Sequence, residues 1–110
     1  MSFDAERERT QLYQMTRDGQ ISNVYSLTVR NLDSQDHTYD ISAAGLPNLQ
    51  LDNTSLRVPA GESRIQVITV LADPASLSEP SHAITFTLQA QQDEQIRQTR
   101  ETRFLSDIRR

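Results

Sequence analysis

Two histidines, a short series of aspartates and one Asn-X-Ser triplet are the residues here whose types could do chemistry. His37 closes the polar run Asp33-Ser34-Gln35-Asp36, and His82 opens an alternating run. A metal site needs three or four ligands in ordered geometry. Two histidines far apart in the chain, with Met1 and Met15 as the available thioethers, do not supply them. Both histidines therefore read as surface residues. Asp33, Asp36 and Asp40 are close in sequence, but a calcium loop needs a denser D-x-D-x-D-G ligand set. No glycine lies among them, and Asp and Ser are ordinary turn formers. Asn53-Thr54-Ser55 matches the glycosylation acceptor pattern, which is short enough to arise by chance. The chain shows no nucleophile elbow and no glycine-rich phosphate loop. Arg97, Arg100, Arg103, Arg109 and Arg110 alternate with Glu94, Glu101 and Asp107, the pattern of a solvated mixed-charge face. The residues thus predict no enzyme, no catalytic or metal site, and no cofactor in this domain.

The composition narrows the class further. At 110 residues the chain makes one domain with a single core. Hydrophobic residues are 35% and Trp is absent, so the core must be thin and mainly aliphatic. That suits two facing sheets better than a helical bundle. A net charge of −4 argues against a nucleic-acid partner, which favours a basic face. All 11 basic residues are Arg, a bias without a firm physical reason. The absence of Cys excludes disulfides, thiolate metal sites and iron–sulfur ligation by this chain. No apolar run is long enough to cross a bilayer, and no apolar stretch of a signal peptide follows the N-terminus.

The elements that would position these residues are strands. The stretch from Asp18 to Leu32 starts at an Asp-Gly turn and then alternates. Tyr25, Leu27 and Val29 share one face; Ser26, Thr28 and Arg30 share the other. A period of two over that length is a half-buried strand. Tyr39, Ile41 and Ala43 are expected to pair back on it as a hairpin. Gln11–Thr16 reads as a weak first strand before the turn at Arg17–Gln20. Short extended pieces follow at Leu49–Leu51 and Ser55–Val58. Val58-Pro59-Ala60-Gly61 is a type I turn signal. Arg64–Ala72 is apolar on both faces; Ile68, Val70 and Ala72 form the set without a polar member and are assigned inward. A helical turn is expected from Pro74. Ile84, Phe86, Leu88 and Ala90 face in on the strand His82–Gln92. Asp93-Glu94 turns, and Arg97–Leu105 closes the sheet. The division is a charged N-terminal arm at residues 1–10, a β-sandwich at 11–105 and a tail at 106–110. Seven or eight short strands at this spacing predict an all-β, immunoglobulin-like antiparallel β-sandwich, without the cysteine pair and core Trp of antibody domains.

Several of these segments carry a resemblance. They are Arg7–Arg9 with Leu12-Tyr13, Asp18-Gly19-Gln20-Ile21-Ser22-Asn23-Val24-Tyr25, and Val29-Arg30-Asn31. Gly45-Leu46-Pro47, Val58-Pro59-Ala60-Gly61-Glu62, Ala72-Asp73-Pro74 and Arg103-Phe104-Leu105 follow in order. The chain resembles the C-terminal domain of the FixG/CcoG (RdxA/RdxB) family of bacterial cytochrome oxidase accessory proteins. The Asp18–Tyr25 piece and the terminal Arg-Phe-Leu are its more specific parts. The resemblance implies a parent protein in the inner membrane that binds iron–sulfur clusters elsewhere in its chain. It implies a role in cbb-type cytochrome oxidase assembly, through copper reduction or delivery, with this domain soluble on the periplasmic side. Met1, and part of the arm with it, would then be foreign to the parent. None of the family's cluster cysteines is present, so no redox residue carries over.

The expected function is a non-catalytic accessory domain that docks on an oxidase subunit or a copper-handling protein. The alternatives are a free-standing bacterial adhesion or ligand-binding module and a periplasmic copper-binding module. An adhesion module would want exposed rings, and aromatics are 5% of the chain; the ligand count speaks against copper. Sheet edges are the natural docking places. Arg100, Glu101 and Arg103 guard the closing strand, so the uncharged first strand is the candidate docking edge, through Gln11, Tyr13 and Thr16.

Overall fold

The computed structural model describes residues 1–8, 14–16 and 18–106. Among them are nine strands: β1 (Ser2–Arg7), β2 (Gln14–Met15), β3 (Ile21–Arg30), β4 (His37–Ala44), β5 (Gln50–Leu51), β6 (Ser55–Val58), β7 (Ser63–Ala72), β8 (Ser81–Ala90) and β9 (Asp93–Leu105). One sheet runs β1-β3-β7-β5, with β2 also on β3; the other runs β6-β4-β8-β9. Every pairing is antiparallel. The chain therefore forms the immunoglobulin-like sandwich that its alternation predicts.

Three local expectations change. The charged N-terminal arm is not an arm over Ser2–Arg7. That stretch is β1, in register with β3 from Ser2↔Arg30 to Arg7↔Tyr25. Phe3 is buried and Ala5 packs on the core, while Asp4 and Glu6 face solvent. The charges mask a period of two. Secondly, β4 does not pair back on β3. The polar run after Arg30 carries the chain to the opposite sheet, where β4 lies between β6 and β8. Thirdly, β9 starts at Asp93, four residues before the expected Arg97, because the turn falls at Gln91-Gln92. The register of β9 on β8 shifts beside Gln89/Ala90, taking up the extra residues.

The inward sets are those of the alternation. Tyr25, Leu27 and Val29 from β3, Ile68, Val70 and Ala72 from β7, and Ile84, Phe86, Leu88 and Ala90 from β8 are all buried. Tyr25 meets Phe86 edge to face across the two sheets, with ring centroids 5.1 Å apart at 72°. Gly45, at φ +123°, ends β4 where a side chain would strike the Ala83 carbonyl of β8. The helical turn expected from Pro74 is a 3-10 turn, Pro74–Ser76, capped by Asp73 through the Ala75 N–H.

One flank of the sandwich is laced shut. The Asn23 side chain donates to the Leu105 carbonyl and accepts from the Leu105 N–H, both at 2.9 Å. The Tyr25 hydroxyl donates to the Arg103 carbonyl at 2.8 Å. Gln98 donates to the Met1 carbonyl, and the Arg100 guanidinium lies 5.4 Å over the Phe3 ring. At Arg103 and Leu105 the outward backbone of β9, an edge strand of its own sheet, is thus satisfied by side chains of the other sheet.

Two buried tyrosines give a direct contrast. Tyr25 has an acceptor; the buried Tyr39 hydroxyl has no partner among the described residues. Removing a bonded hydroxyl strands the Arg103 carbonyl, whereas removing an unpaired one strands nothing. Tyr25→Phe should cost about 1–2 kcal/mol and Tyr39→Phe about zero or less, by denaturant midpoints. Burial, opposed by Arg7, raises the Tyr25 phenol far above its ordinary value. Its stability contribution is therefore full below pH ~10 and declines above it, where only the unfolded chain ionises. Tyr25→Phe should flatten that alkaline decline; an unchanged decline would contradict the assignment.

Candidate docking surface

The acidic and imidazole groups that drew attention in the sequence are placed by the β3–β4 crossover. Asn31 ends β3 with its side chain buried. It donates to the carbonyls of Gln35 (2.8 Å) and Val58 (3.0 Å) and accepts from the Asp33 N–H at 2.9 Å. These bonds fold residues 31–36 back toward β6. They bring the Asp33 carboxylate 2.9 Å from His37 Nε2. His37 is 4% exposed, so it is not the surface histidine its polar neighbours suggested. It is the first residue of β4, paired with Val58, and faces inward beside Tyr39. The hydrogen bond from His37, helped by the Ser34 N–H, holds the Asp33 carboxyl below the usual carboxylate range.

The three aspartates do not converge. Asp36 accepts from Arg57 and from the Ala60 N–H, each at 2.8 Å. Asp40 accepts from Gln91. His82 Nε2 accepts from the N–H groups of Ser78 and Glu79, so it caps a loop. Asn53 is half-buried and accepts from the Ser55 N–H at 3.3 Å, forming a turn.

Of the candidate docking edge, Gln11 and Tyr13 lie outside the described residues. Thr16 closes the turn into β3: its N–H donates to the Gln20 carbonyl at 2.8 Å, and its carbonyl accepts from Gly19 at 3.0 Å. Its hydroxyl accepts from the Gln20 N–H. Thr16 therefore has both backbone groups paired within its own turn.

A different edge is open. β5 covers β7 at Val70 and Leu71, and Asp52 continues to Thr69 through both its N–H and its carboxylate. Toward Ser63, no described strand lies on the side of β7 away from β3. Ladder geometry points the backbone groups of Ser63, Ile65 and Val67 the same way as those of Thr69, into that gap. Arg64 bonds back to the Ser63 carbonyl (2.9 Å) and Gln66 to the Val67 carbonyl (3.1 Å). On the outer face beside the gap, Ile65 is 69% exposed and Val67 52%.

The sequence matches over residues 1–107 the family model described as "IG-like fold at C-terminal of FixG, putative oxidoreductase". The chain belongs to the FixG C-terminal family. Among solved structures, a FixG-related protein from Vibrio parahaemolyticus superposes with a TM-score of 0.86 at 26% identity, covering 97% of this chain and 96% of that one. A protein from Archaeoglobus fulgidus, at 14% identity and a TM-score of 0.50, covers 98% of both chains and shares the fold. No curated protein matches the sequence. The two more specific segments of the FixG pattern now have a physical meaning. Asn23 and Tyr25 lie in the first and Arg103 and Leu105 in the last, and they are the two sides of the laced flank.

A pH dependence follows from the Asp33–His37 pair of this FixG domain. A carboxyl lowered in the folded state contributes stability above its unfolded pKa and loses it as pH falls through the folded value. The gap in unfolding midpoint between the wild type and Asp33→Asn should thus persist above pH ~4 and close below it. A gap that widens in acid would contradict the pairing.

Proposed function

We propose that this domain is a non-catalytic docking module of a FixG-like inner-membrane protein that serves cbb-type oxidase assembly and copper handling. It sits on the periplasmic side and engages an oxidase subunit or a copper-handling protein; iron–sulfur clusters belong to other parts of the parent. The observation that carries this reading is the open β7 edge, with exposed aliphatics beside backbone groups that no described strand pairs. Sheet edges are normally guarded or used. The way the reactive side chains are matched supports a role without catalysis. Asp33 is tied to His37, Asp36 to Arg57 and Ala60, Asp40 to Gln91, and His82 to two backbone N–H groups.

The test is deletion of residues 1–107 from a full-length parent protein, with membrane insertion and cluster content verified. Oxidase assembly should be lost while the clusters remain. Normal assembly without the domain would overturn the docking role.

A further inference from the structure

The open edge also specifies its occupant. An added strand would continue the line of β5 along β7, antiparallel to β7, so its C-terminal end would lie beside Ser63. Two guanidiniums converge there: Arg30 Nε donates to the Ser63 hydroxyl at 3.3 Å, and Arg64 to the Ser63 carbonyl at 2.9 Å. Of the two, Arg64 is paired with the Glu62 carboxylate at 3.4 Å. The end of the edge is therefore net positive on a domain that is net negative. Along the gap, the backbone groups of Ile65 and the Val67 N–H face outward, and the caps on Ser63 and Val67 are long side chains that a partner strand can displace. The outer row beside the gap is Ile65 and Val67, flanked across the sheet by Thr28 and Ser26. That row matches small β-branched side chains on the incoming strand.

We propose that β7 accepts, along Ser63–Val67, an added antiparallel strand from a protein partner whose segment alternates aliphatic residues and ends in acidic ones. Main-chain hydrogen bonds to Ile65 and Val67 supply the pairing, Ile65 and Val67 the apolar contact, and Arg30 with Arg64 the selection for carboxylates. This rests on the docking role proposed above and names its partner chemistry.

The probe is the acetylated peptide amide Thr-Val-Thr-Val-Thr-Glu-Glu, titrated into the 110-residue chain and followed by amide chemical shifts and hydrogen exchange. Shifts should map to Ser63–Val67, with exchange at Ile65 and Val67 slowed at saturation. A version ending in Lys-Lys should bind about tenfold more weakly. Val67→Pro removes an outward N–H and leaves the β3–β7 ladder intact; Ile65→Glu adds a repelling charge. Each should weaken binding at least tenfold while the β8–β9 amide shifts stay native. Equal binding of the two peptides, shifts mapping to β2 or β9, or no response at millimolar peptide would overturn the proposal. Self-association abolished by Val67→Pro would assign the edge to a second copy and overturn it too. In the full-length parent, Val67→Pro should impair oxidase assembly as deletion of the domain does. If deletion abolishes assembly and Val67→Pro does not, this edge falls and the docking role stands. If neither matters, both fall.

Discussion

The sandwich depends on two side chains that cross from one sheet to the backbone of the other. Asn23 pairs with Leu105 through both of its amide groups, and Tyr25 reaches the Arg103 carbonyl. Buried backbone polar groups must be paired, and β9 is an edge strand with no further described strand to pair them. These bonds satisfy the outward groups at the C-terminal end of β9, on either side of the buried Phe104. The contact joins residues about eighty positions apart and ties one sheet to the other. Tyr25 couples the lacing directly to packing, since the same ring meets Phe86.

Sealing one flank leaves the molecule asymmetric. The chain of β5 and β6 leaves one sheet for the other at Asp52–Thr54, and so β7 is covered beside Val70 and bare beside Ile65. The bare stretch carries few of the devices that protect natural edges. It has no proline, and its outer row is aliphatic. What protection there is comes from Arg64 and Gln66 bending back onto carbonyls. That combination separates a closed flank, tied by side-chain bonds, from an accessible one.

Much of this fold is legible in the sequence, for a definite reason. Wherever one face of a strand is buried and the other is wet, alternation fixes the inward set, as at Leu27, Val29, Ile84, Phe86 and Leu88. It fails where charge overlies the pattern: Phe3 and Ala5 keep period two in β1, hidden by Asp4, Glu6 and Arg7. It also fails for pairing, since a polar run after Arg30 looks the same whether the chain returns to its own sheet or crosses to the other. The buried polar residues did leave a signal. Asn23 and Asn31 share the parity of Tyr25, Leu27 and Val29, so an inward asparagine at each end of β3 was there to be read. His37 left the same signal, since it shares the parity of Tyr39 and Ile41, but the polar run before it hid where the strand begins. The β7 edge was equally hidden. Exposure of Ile65 and Val67 follows from the neighbour β7 lacks, and sequence patterns do not list neighbours.

Native-state amide hydrogen exchange measures both flanks in one experiment. The Leu105 amide should be protected in the wild type and lose that protection selectively in Asn23→Ala. The Ile65 and Val67 amides should exchange at nearly unprotected rates in both. A Leu105 amide that stays protected without Asn23, or Ile65 and Val67 amides as slow as those of the β3–β7 ladder, would contradict a sandwich closed on one flank and open on the other.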